Sequence, residues 1–145
     1  MKKKIFLGLV FLFLFIGIFS GVDAVDDRRD PNVWVDVTPT GTIVFPVEGG
    51  ILNYNIALGN LESTNQEVDL WVVITTPTGL TYTVLGPVYD FTLQPGVSIN
   101  RDETVTISAR APAGEYTLYA YVGEYYETNP PIIYSEDQFN FIKQS

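Results

Sequence analysis

The side chains of this sequence best equipped for chemistry are carboxylates. They come close together three times, as Asp102-Glu103, as Glu124 with Glu127, and as Glu136-Asp137. Two carboxyl groups on either side of one bond are the apparatus of glycoside hydrolysis. Adjacent residues of a strand face opposite ways, however, so the two tandem pairs are poorly arranged to flank a bond and read as solvated loop-end charges. Histidine and cysteine are both absent. With them go the usual general base, the usual thiolate and the soft metal ligands, and no histidine-dependent triad can be assembled. A Ser-Lys pair, or a self-formed Lys-Asn crosslink, would have to use Lys143, the one lysine after Lys4. The expectation is a protein with no catalytic residues and no cofactor. Calcium is the one metal with a candidate, at Asp26, Asp27 and Asp30, but the Asp-x-Asp-x-Asp-Gly loop is missing and no metal ligand is assigned. The other reading of those aspartates is an acidic leader.

Aromatic rings are what the sequence has beyond the needs of folding. Trp71 and Val73 share one parity in their stretch, Tyr119 and Tyr121 share one in theirs, and in both stretches the opposite parity is apolar. On adjacent strands these residues would form an aromatic patch on the solvent side of one sheet, unless a neighbouring loop or Trp34 covers them. A second group, Tyr125, Tyr126 and Tyr134, lies in the connection 124–135, where Pro130-Pro131 would stiffen the chain. That connection is long for a hairpin, and it reads either as a recognition loop or as a lid over the core. Tyr and Trp stack on sugar rings and anchor protein partners. The candidate ligand-binding residues are therefore Trp71, Tyr119, Tyr121, Tyr125, Tyr126 and Tyr134.

Strands must position these rings, because the apolar period is two almost everywhere. Val33, Val35 and Val37 alternate up to Pro39, and residues 43–45 continue as a short edge piece. Leu52, Tyr54, Ile56 and Leu58 form a half-buried strand ended by Gly59-Asn60. Val68, Leu70, Val72 and Ile74 form the next, closed by the turn Thr76-Pro77-Thr78-Gly79. Residues 80–85 read as another strand, broken at Gly86-Pro87, and Tyr89, Phe91 and Leu93 alternate beyond it. Val97, Ile99, Val105, Ile107 and Ala109 share one parity. Pro112 and Gly114 mark a corner, and Tyr116, Leu118, Ala120 and Val122 then form one face of a central strand. Phe139 and Phe141 belong to the last.

The ends bound the compartment. Lys2, Lys3 and Lys4, the apolar run 5–19 and Val22-Asp23-Ala24 have the order of a secretory signal, with cleavage expected after Ala24. The alternative is a retained anchor, for which the run only just reaches spanning length. Residues 25–32 read as a flexible acidic leader and residues 33–145 as one domain. The chain carries a net charge of −9, and losing three lysines and one aspartate with residues 1–24 takes it to −11. Such a surface repels nucleic acid and anionic bilayers, so neither is an expected partner, and no membrane insertion is expected after cleavage. Without cysteine, stability has to come from the core.

Leu93-Gln94-Pro95-Gly96 before a strand, Ala111-Pro112-Ala113-Gly114-Glu115-Tyr116 entering the next, and Val122-Gly123 ending it resemble the immunoglobulin-like or fibronectin-type-III-like modules of secreted microbial surface proteins. The resemblance implies an all-β, immunoglobulin-like antiparallel β-sandwich of about seven to nine strands. It also implies a tyrosine corner at Tyr116, whose phenol would bond backbone a few residues upstream. The sequence departs from antibody-type domains in lacking both cysteines. The expected function is a secreted or periplasmic non-catalytic binding and adhesion module that recognises an extracellular protein or glycan at the cell surface. The alternative is a structural subunit of a surface layer or filament, built by strand pairing between copies.

Overall fold

The structure, a computed structural model, describes residues 31–125 and 129–145. Alternating apolar residues give eight strands: β1 (Val33–Pro39), β2 (Val44–Phe45), β3 (Gly50–Asn60), β4 (Gln66–Thr75), β5 (Thr81–Leu93), β6 (Ser98–Ile107), β7 (Gly114–Glu124) and β8 (Ile132–Lys143). They form two layers, a three-stranded sheet in the order β1-β3-β6 and a five-stranded sheet in the order β2-β8-β7-β4-β5. The two sheets face each other as an all-β sandwich.

The core forms where the inward parities meet. Leu52, Tyr54, Ile56 and Leu58 of β3 are buried with Val72 and Ile74 of β4 and with Tyr116, Leu118, Ala120 and Val122 of β7. Phe141 of β8 sits among rings, stacked on Tyr116 at 5.0 Å and edge-on to Phe45 at 5.9 Å. The Tyr116 hydroxyl donates to the Pro112 carbonyl at 2.6 Å, which fixes the corner entering β7.

One side of the sandwich is sewn shut. The Val35 and Val37 amides of β1 donate to Ser135 Oγ at 3.3 Å and Asp137 Oδ2 at 2.8 Å on β8. Alongside, β2 runs parallel to β8, and Ile142 and Gln144 donate to the Ile43 and Phe45 carbonyls at 2.8 and 2.9 Å. On the far side, β5 and β6 are edges of different sheets.

Four expectations about the elements need correction. Gly86-Pro87 does not break the chain into two strands, because β5 is an edge that pairs only with β4 and a proline without an N–H is tolerated there. Its extra residues are taken up in register shifts, with Gly86 at φ 77° and Asp90 at φ 51°. Ala109 lies outside β6, exposed in the turn that follows it. Asn60 is no turn residue but is buried at the end of β3. The last strand starts at Ile132, so the connection into it is shorter than its composition suggests. Residues 1–24 and most of the leader lie outside the described residues. Pro31 and Asn32 are tied down, Pro31 accepting from the Val33 amide at 2.8 Å and Asn32 accepting from the Leu61 amide at 2.9 Å.

Burial, with the negative charge of Glu103 adding to it, pushes the Tyr54 phenol from its ordinary 10.0 up to about 12. A proton held more tightly in the folded state stabilises it fully below the unfolded value, and that stability drains away as the pH rises through the folded one. Unfolding free energy is therefore expected to fall by roughly 2 kcal/mol between pH 10 and 12. Denaturant titrations across that range should show the slope, and Tyr54→Phe should flatten it.

Candidate functional site

β4 and β7 are neighbours in the five-stranded sheet, with Trp71 opposite Tyr121 and Val73 opposite Tyr119. All four lie on the face away from the core, where parity places them. Tyr119 and Tyr121 stack on each other at 5.8 Å with their planes 7° apart, and Tyr121 stacks on Trp71 at 5.4 Å. Tyr125, just past β7, sets its ring edge to Trp71 at 5.1 Å, and Tyr89 of β5 tilts against Tyr125 at 6.3 Å. Five rings thus run across three strands. Such offset and edge contacts are each worth about 1 kcal/mol beyond the area they bury.

The row differs from the expected patch in one respect that matters. Trp71 is only 5% exposed, because Tyr121 and Tyr125 close over it, so it is a foundation for the row rather than a contact surface. Tyr119, Tyr121, Tyr125 and Tyr89 are half-buried. Burial, then the charge of Glu136 and the neighbouring Tyr119, raises the pKa of the Tyr121 phenol, so it stays protonated. Trp34 covers none of these rings. Its indole lies over Gly59 in the other sheet, where an added Cβ would come within 2.2 Å of its Nε1.

Tyr134 is in β8 rather than in a loop. It packs against the core, and its hydroxyl donates to Glu124 Oε1. Tyr126 lies outside the described residues. Tyr89 is a row member that the alternation conceals, since Tyr89, Phe91 and Leu93 share a parity. The chain passes Val88 opposite Leu70 and Phe91 opposite Val68, three residues of β5 against two of β4, and this irregularity turns Tyr89 outward. No general sequence signal marks it beyond Asp90, a residue type that tolerates positive φ.

Beside the row is a cleft of about 600 Å³ lined by Glu67, Asp69, Tyr89, Asp90, Gly123 and Glu124. Asp69 organises it, accepting the Asp90 amide on Oδ1 at 3.0 Å and the Tyr125 amide on Oδ2 at 2.7 Å, which holds two ring-bearing segments to β4. Gly123 makes room for the return strand. A Cβ there would come 2.0 Å from the Ile132 carbonyl oxygen, at the register shift between β7 and β8.

Three of the four tandem carboxylates are engaged with different partners. Asp102 accepts from Asn55 Nδ2 at 2.8 Å, Glu103 lies 2.5 Å from Arg101 Nε, and Asp137 holds β1. Lys143 is buried, and among the described residues no carboxylate ion-pairs with it. No cluster of three or more potential metal ligands occurs among the described residues, and Asp26, Asp27 and Asp30 lie outside them. No described helix is long and apolar enough to cross a membrane.

No family model matches the chain, and no curated protein matches it in sequence. Among solved structures it is similar to the Pseudomonas fluorescens alkylpurine DNA glycosylase AlkC, at 14% identity and a TM-score of 0.58, covering 79% of this chain and 31% of that one. The sporulation control protein Spo0M of Bacillus subtilis matches at 16% identity and a TM-score of 0.51, over 78% of this chain and 49% of that one. A β-glucosidase from Listeria innocua matches at 12% and 0.52, over 79% of this chain and 16% of that one. This chain spans less than half the length of each. Likeness at these identities is a likeness of fold, a small all-β sandwich.

Proposed function

We propose that the chain is an exported, non-catalytic module of the immunoglobulin-like or fibronectin-type-III-like kind, and that it recognises a protein or glycan at the cell surface through the tyrosines of the ring row. The observation that carries this reading is the row itself. Four half-buried tyrosines are fixed in mutual contact on a buried tryptophan, so a ligand stacking on them meets side chains already ordered and loses little entropy in their ordering. The carboxylates of the adjoining cleft supply acceptors for sugar hydroxyls or for a basic side chain. The strand order and the Tyr116 corner support the family assignment. The engagement of Asp102, Glu103 and Asp137 with three different partners supports a binding role over hydrolysis.

A subunit joined to its neighbours by edge pairing is disfavoured. β5 carries Pro87 and its register shifts, β6 carries Arg101-Asp102-Glu103, and β1 has its amides committed to β8.

A glycan array probed with the wild-type chain and with Tyr121→Ala tests the reading. Loss of a central ring anchor is expected to cost at least about 2 kcal/mol of binding, roughly thirtyfold. Trp71→Ala is the wrong variant for this purpose, because it removes the support under the row. An array with no binder for either protein would abandon the sugar version, leaving a protein ligand to be sought with the same pair.

A further inference from the structure

The side of the sandwich opposite β1 and β8 is open, and an apolar cleft runs along it between β5 and β6. Its narrow part, about 120 Å³, is lined by Leu70, Leu85, Val88, Phe91 and Ile99. Further along the same two strands, with Val84 next to Leu85 on β5, lies a second and wider opening of about 430 Å³ where Leu80, Tyr82, Val84 and Val105 stand. Leu80, Tyr82, Val88 and Ile99 are large apolar residues left exposed along this one side. From Ile99 to Ile107 β6 rises about 27 Å, enough for a long acyl chain laid parallel to it.

The edges on either side argue against an incoming strand. β5 lacks an amide at Pro87 and is bulged along its middle, and β6 presents charges at its centre. Apolar side-chain surface is exposed there while regular backbone pairing is obstructed, so the fitting occupant is a flexible hydrocarbon.

Charge identifies its other end. The described residues contain three cations, of which Lys143 is buried, and both exposed ones line this cleft. Arg101, at the narrow end, is held by Glu103 at 2.5 Å. Arg110, at the mouth, makes no ion pair among the described residues and has the hydroxyl-bearing Thr76, Thr78 and Ser108 around the same opening. In a chain of net charge −9, an uncommitted arginine at the mouth of an apolar cleft selects an anion attached to an apolar tail.

We propose that this cleft binds a long-chain fatty acid, with its carboxylate at Arg110 and its alkyl chain running between β5 and β6 to Val88, Phe91 and Ile99. Equilibrium dialysis of the full chain against labelled palmitate and against hexadecanol tests it. Palmitate should bind saturably at one per chain, and Arg110→Glu should weaken it by about tenfold or more while leaving the weaker hexadecanol binding unchanged. Val88→Trp, which fills the narrow part from an exposed position, should abolish binding of both, with Ile99→Trp in its place if circular dichroism shows the first variant unfolded. No saturable uptake, or palmitate binding indifferent to Arg110→Glu, overturns the proposal. So does a dimer in sedimentation equilibrium that Val88→Asp splits, since the occupant would then be a second copy.

Discussion

Phe141→Ala is expected to lower the unfolding free energy by about 4 kcal/mol, the middle of the range for truncating a buried aromatic residue. The ring is fully buried and touches both neighbours of β8 in its sheet, with Tyr116 of β7 stacked on one face and Phe45 of β2 edge-on. Removing it leaves a cavity that the Tyr116 corner, pinned to Pro112, cannot relax into. A domain of this size has a total stability of about 5–15 kcal/mol, so the loss should move the urea midpoint far down with little change in slope. Phe141→Leu, which keeps much of the volume, should lose less than half as much; an equally large loss would mean that the ring contacts, rather than the filled space, carry the stability.

Asn60→Ala comes second, at about 3 kcal/mol, although it removes only a small polar side chain. Asn60 is 1% exposed and satisfies three backbone groups at once. Its Nδ2 donates to the Leu93 and Thr64 carbonyls at 2.9 and 2.8 Å, and its Oδ1 accepts the Glu62 amide at 2.8 Å. Its own carbonyl accepts the Gly96 amide at 3.0 Å, so β3, the loop before β4 and the turn after β5 meet at this residue. Alanine would leave those groups without partners, at about 1–3 kcal/mol for each one that water cannot reach. Asn53→Ala, on the outward face of the same strand, should cost no more than about 0.5 kcal/mol, and similar losses at the two positions would refute the bridging role.

Parity was the most legible property of this sequence, and it decided most of the fold. A strand buries every second residue, so Leu52 to Leu58 and Tyr116 to Val122 could be assigned an interior face from their spacing alone, and both faces are buried. The tyrosine corner was readable for a related reason, since Pro112, Gly114 and Tyr116 are a local motif whose bond closes within four residues. Parity fails where the register slips. Tyr89 faces outward because three residues of β5 pass two of β4, a fact about the pair of strands that neither strand contains. It also says which way a side chain points without saying what lies above it. Trp71 faces away from the core as its position requires, yet two tyrosines cover it, one of them from beyond the end of β7. Asn60 was illegible because asparagine after glycine is ordinary turn chemistry, and the carbonyls it serves are 4 and 33 residues away.

The seam between β8 and its two parallel neighbours has a mechanical consequence. Val33 and Lys143 leave the sandwich at opposite ends, because β1 and β8 run the same way. Opposed forces applied at those two points would slide β8 lengthwise past β1 and β2. The Val35, Val37, Ile142 and Gln144 bonds cross that sliding plane and would be loaded together, not peeled one after another. Pulled at those two points, the sandwich would therefore resist extension until its whole seam failed at once.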